Sequence, residues 1–63
     1  MKLVEFEIKN KDVKVFVNPM NITYIENFDN CVCINFVDRD CTSWLKVKDS
    51  LEEAVGKINE AMQ

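Results

Sequence analysis

Histidine is absent from this sequence, glycine and proline occur once each, and no stretch is continuously apolar for more than a few residues. Without histidine there is no His-based nucleophilic triad, no imidazole general base and no zinc hydrolase site of the usual histidine-rich kind. A single glycine, Gly56, excludes a glycine-rich loop that could cradle a phosphate. The acids of ENFD and DRD fall in turn-forming stretches, where carboxylates are ordinarily solvated. No enzyme activity is expected.

Positive charge is also scarce. Eight Lys and Arg stand against eleven Asp and Glu, giving a net charge of −3 at pH 7 and a pI near 4.7. Affinity for nucleic acid or an anionic membrane rests on clustered Lys and Arg that release counterions, and here only Lys46 and Lys48 are spaced to share a strand face. Nucleic acid is not an expected partner. The N-terminal MKLVEFEIKNK alternates apolar and charged residues instead of building the hydrophobic run of a signal peptide. The ~20 apolar residues of a bilayer-crossing helix are nowhere present, so no membrane partner is expected either. The expected location is the cytoplasm, where thiols stay reduced, and an odd count of three cysteines agrees with it.

What the chain does have is apolar periodicity, with 48% hydrophobic residues in 63. That length implies one domain, residues 1–63. A chain this short buries only about 60% of its unfolded surface, so disulfides, a metal or association with other chains usually supports it. Alternation predicts strands at about 2–9, 13–18, 22–28, 31–37 and 42–48. Asn10 to Asp12 carry turn chemistry, Asp29-Asn30 suits a type I′ hairpin, and Asp38-Arg39-Asp40 forms another turn. Asn18 before Pro19 predicts a capped single helical turn. In the third strand Ile22, Tyr24 and Phe28 fall on one face and Ile25 on the other.

From residue 50 to about 62 the period becomes helical. Asp49/Glu52 and Ser50/Glu53 both have capping-box spacing. Leu51, Ala54, Val55, Ile58, Ala61 and Met62 make an apolar stripe, while Glu52, Glu53, Lys57 and Glu60 face water. The expected fold is α+β: an antiparallel sheet of about five strands, open or curled into a half-barrel, with one C-terminal α-helix packed on one face.

Strand parity then leaves a second face. If Val4, Phe6, Ile8, Val13, Val15, Val17, Val32, Ile34, Phe36, Leu45 and Val47 lie under the helix, Leu3, Phe16, Cys31, Cys33, Val37 and Trp44 lie opposite. That face is too apolar for water alone. Either the sheet closes into a small barrel around it, or a further copy of the chain covers it, or a ligand or partner does. Gly56, well away from the apolar stripe, could let a neighbouring chain approach closely. The candidate binding residues are Phe16, Tyr24, Cys33, Asn35, Trp44, Lys46 and Lys48, with the aromatics available for stacking and the lysines and Asn35 for polar groups.

Three thiolates with Asp40 or Asp38 could be assembled into a zinc site, but the cysteine spacing is weak evidence for a metal. C-x-C sets Cys31 and Cys33 on one strand face and Cys41 beyond a turn, unlike the paired knuckles of structural zinc. A Cys33–Cys41 disulfide across the hairpin is opposed by a reducing compartment. All three are read as small apolar residues, and no cofactor is expected.

Taken together, K-x-V-x-V-F-V-N-P-x-x-I-x-Y-I-E at 11–26 and L-K-V-K-D-S-L-E-E-A-V-x-K-I at 45–58 resemble the small flagellar FlbD/SwrD family. The resemblance runs over most of residues 10–60 and implies a hairpin, an asparagine before the crossover, an I-x-x-I-E-like strand and a terminal helix. It implies no catalytic residues. The I-x-Y-I-E and S-L-E-E portions also resemble pieces of the LytTR DNA-binding domain, whose basic loops are missing here. CVC, DRDC and Trp44 depart from the FlbD/SwrD pattern, and a chain of this kind could equally be phage-encoded. The expected function is a small interaction or regulatory module that self-associates through its outer sheet face and binds a protein. The alternative is an oligomer that binds or sequesters a nucleotide-type ligand.

Overall fold

The computed structural model describes residues 2–63, with the side chain of Asp38 outside the description. Two strands, β1 (Val4–Glu7) and β2 (Lys14–Val17), form an antiparallel hairpin in which Val4 faces Val17 and Phe6 faces Val15. Asn10 makes the reversal with φ 65, a left-handed conformation that asparagine tolerates better than most residues. Both strands are shorter than their apolar patterns, and Val13, expected inward, is exposed just ahead of β2.

Asn18 then caps one 3-10 turn, Pro19–Asn21. Its Oδ1 accepts from the Met20 N–H at 3.0 Å, and Pro19 takes the first helical position, where no N–H is needed. The turn delivers the chain into a meander of β3 (Ile22–Phe28), β4 (Cys31–Asp38) and β5 (Cys41–Val47). Asp29 and Asn30 both have positive φ, 53 and 62, as a type I′ hairpin requires. The two sheets meet where Ile8 bridges Val47, with Lys9 N–H donating to Lys46 O and Lys48 N–H to Glu7 O. The five strands stay divided between two sheets, so the half-barrel does not close.

The register corrects the parity of β3. Ile22 pairs with Phe36, but Tyr24 pairs with Asn35, so the ladder slips at Thr23. Such a bulge turns one residue to the opposite side. Ile22 and Ile25 consequently both pack on the core, while Tyr24 and Phe28 turn outward.

The helix, α1 (Leu51–Ala61), starts at Ser50. Its hydroxyl accepts from the Glu53 N–H, and the Glu53 carboxylate accepts from the Ser50 N–H, so the capping box forms at Ser50/Glu53 rather than at Asp49/Glu52. Ser50→Ala should cost about 1 kcal/mol in chemical denaturation. Ala54 and Ala61 are buried seven residues apart, and these small side chains let the helix sit close on Val4, Phe6, Val32, Ile34 and Val47. Lys57, expected in water, instead lies half-buried. It pairs with Asp49, donates to Glu5 O at 3.0 Å and holds its ammonium 5.6 Å from the centroid of the Phe6 ring. Leu51, Val55 and Met62, expected in the apolar stripe, remain exposed beside it.

Gly56 needs no close approach within the protomer, since a Cβ built there meets nothing within 4 Å. Gly56→Ala is therefore expected to stabilise the fold by about 0.5–1 kcal/mol through helix propensity, seen as a higher denaturation midpoint at unchanged slope.

Candidate functional site

Pairing in the meander fixes the outer face of β3–β5 row by row. Tyr24, Asn35 and Trp44 form one row across the three strands, and Glu26, Cys33 and Lys46 form the next. Phe28 and Cys31 begin a third. Within a row, neighbouring strands are ~4.8 Å apart, and like-facing rows follow one another at ~7 Å. Tyr24 and Trp44 thus flank Asn35 from either side, about 10 Å apart at the backbone.

This face is open and presents exposed aromatic rings. Tyr24 is 57% exposed, Trp44 60% and Phe28 74%, whereas Cys31, Cys33 and Asn35 on the central strand are half-buried between them. A strand in the middle of a sheet is shielded on both sides by its neighbours' side chains, which accounts for the contrast. The polar groups are ordered across the face. Asn35 Nδ2 donates to Glu26 Oε1 at 3.3 Å, and the Lys46 ammonium lies 5.7 Å from the centroid of the Trp44 ring. Glu26 and Lys46 make no ion pair among the described residues, where the carboxylates that do pair bind Lys14, Lys48 and Lys57.

Five of the seven candidate residues come together here: Tyr24, Cys33, Asn35, Trp44 and Lys46. Two do not. Lys48 lies past the end of β5, where it pairs with Glu7 at 3.6 Å, and Phe16 belongs to the other sheet, opposite Glu5. Phe16 is 61% exposed and borders a separate hollow with Asn18, Asn21, Phe36 and Val37. Glu26 and Phe28, absent from the candidate set, belong to the face. Counting outward from the Asp29-Asn30 turn would have found them, because a two-residue loop sets Phe28 against Cys31 and hence Glu26 against Cys33.

The register also separates the thiols. Cys33 pairs with Lys46 and Cys41 with Asp38, so Cys33 and Cys41 sit five positions apart along the hairpin, ~17 Å, far beyond the reach of a disulfide. All three cysteines are free, and Lys9 Nζ donates to Cys31 Sγ at 3.2 Å. Among the described residues no group of three or more Cys, Asp or Glu is placed to hold a metal ion.

A larger cleft of about 580 Å³ opens between the turns and the start of α1, lined by Lys9, Asn27, Asn30, Lys48, Asp49 and Glu53 among others. Helix N-termini attract anions, but here the chain's own Glu53 carboxylate takes the Ser50 N–H. That leaves the outer face of β3–β5 as the stronger candidate. Compared with protein-family models, curated proteins and solved structures, the chain finds no match. No helix among the described residues is long and apolar enough to cross a membrane.

Proposed function

We propose that this chain is a non-enzymatic interaction module that self-associates through the outer face of β3–β5 and binds a protein partner in the cytoplasm, where its three thiols stay reduced. The observation that carries the reading is the outer face itself. Three aromatic side chains on one small sheet, Tyr24, Phe28 and Trp44, are each more than half exposed to water, and exposed large apolar side chains gathered on one face mark interaction sites. A sheet with one face on a core and the other solvated normally carries polar residues on the outside; here Tyr24, Phe28 and Trp44 stand exposed there among Glu26, Asn35 and Lys46. Leu51, Val55 and Met62 of α1 are also exposed and stay available to the partner protein. Sedimentation velocity over a concentration series tests the assembly: a reversible shift from protomer to dimer or larger is expected, and a protomer at every concentration would refute it.

A second reading is favoured by one arrangement, Tyr24 and Trp44 on either side of Asn35 with Lys46 beside the indole. Flat ligands stack on aromatic faces at ~1–3 kcal/mol per base, and a lysine can meet an attached phosphate. In that case the chain, encoded by a phage or a bacterium, is an oligomer that sequesters a nucleotide-type ligand. A nucleotide panel scored by thermal shift and Trp44 fluorescence discriminates the two, because an interaction module responds to none of the panel.

A further inference from the structure

The charges on the outer face of β3–β5 are disposed evenly about its central strand. Glu26 and Lys46 stand in the same row, on opposite sides of Cys33, two strands and ~10 Å apart. Each lacks an ion pair within the protomer among the described residues. Asn35 holds the Glu26 carboxylate over the sheet. Two opposite charges placed symmetrically about a central strand, each unpaired at home, are self-complementary under a two-fold rotation about that strand.

We propose that two protomers stack face to face with the two-fold axis running along β4. Rotation about this direction lays β3 of one copy over β5 of the other and keeps every row opposite itself. Glu26 of each protomer then meets Lys46 of the other, giving two equivalent ion pairs, and Tyr24 of each meets Trp44 of the other, giving two equivalent aromatic contacts. Cys33 and Asn35 face their own counterparts on the axis. Isologous contacts of this kind are the usual form of a dimer interface, and sheets so stacked lie ~10 Å apart.

The competing two-fold axis lies in the same plane but across the strands. It lays β3 over β3 and β5 over β5, so Glu26 meets only residues of β3 and Lys46 only residues of β5, no carboxylate meets an ammonium, and both charges are covered without a counter-ion. Burying unpaired charges is strongly unfavourable. Charge complementarity therefore selects the axis along β4.

This arrangement rests on the self-association proposed above, and charge reversal separates the two. Glu26→Lys and Lys46→Glu, both at exposed positions, should each weaken dimerisation about 100-fold or more, because each creates two like-charge contacts. The double variant Glu26→Lys/Lys46→Glu should return to within about tenfold of the natural chain. In a Cys31→Ser/Cys41→Ser background, a thiol cross-linker matched to the ~10 Å sheet spacing should join Cys33 to Cys33. This second measurement leaves the charged residues untouched, so it stands even if a reversal variant fails to fold. A dimer whose reversals show no mutual rescue and whose Cys33 thiols do not cross-link overturns the axis along β4 while self-association stands. A natural chain that stays a protomer at all concentrations overturns both.

Discussion

Trp44→Ala is expected to give a folded protomer that no longer assembles. The indole is 60% exposed and stands on the outer face, so its removal opens no cavity among Val4, Phe6, Ile34 and the other core residues. Far-ultraviolet circular dichroism and the denaturation midpoint of the isolated protomer should change little, by less than about 1 kcal/mol, as for surface substitutions generally. Assembly should suffer far more. Central tryptophans at interfaces typically cost 2–4 kcal/mol on truncation, or about 30- to 1,000-fold in dissociation constant. Sedimentation velocity of the variant beside the natural chain checks the expectation. Unchanged assembly would remove Trp44 from the interface.

Phe6→Ala should do the opposite, unfolding the chain before assembly is even in question. Phe6 is fully buried, packed among β-strand and helix residues with the Lys57 ammonium over its ring. Phe-to-Ala changes in cores cost about 3–5 kcal/mol. Proteins hold only about 5–15 kcal/mol in total, and a domain this small sits low in that range. In a domain of this size each kcal/mol lowers the melting temperature by about 4–8 °C. A fall of more than about 15 °C, or no folded state at 25 °C, is expected from calorimetry or circular dichroism. Phe28→Ala is the internal contrast: Phe28 is 74% exposed, and its loss should leave the melting temperature of the protomer nearly untouched.

The contrast between these phenylalanines shows what could be read from the residues. Val4 and Phe6 alternate with Glu5 and Glu7, so their burial follows from period 2 alone. The Asn18-Pro19 cap, the Asp29-Asn30 hairpin and the Ser50/Glu53 box were legible for the same reason: each is a local device whose chemistry is complete within a few residues. Tyr24 and Phe28 were placed on a common face, but with Ile22, because nothing in ITYIENF announces the slip at Thr23. A bulge is settled by pairing with β4, a non-local matter. Lys57 was assigned to solvent for a similar reason, since its acceptor, the carbonyl of Glu5, lies 52 residues away in sequence.

The candidate face was legible in part. Cys33, Asn35, Trp44 and Lys46 follow from strand parity once β4 and β5 are paired. Phe16 passed the same parity test and yet lies on another sheet, because parity assigns a side and says nothing about which strands share it. Lys48 likewise continues the alternation of Trp44 and Lys46, but β5 ends at Val47 and the side chain turns to Glu7.

Trp44 is the only tryptophan in the chain, so its fluorescence reports the outer face with no background from other indoles. The most direct measurement is its emission maximum and its quenching by acrylamide across a dilution series, with mass determined at each point. Burial of the outer face between copies requires a blue-shifted, protected indole at high concentration that becomes red-shifted and freely quenched as the assembly dissociates. A fully quenched, red-shifted indole at every concentration, in a particle of protomer mass, would contradict it.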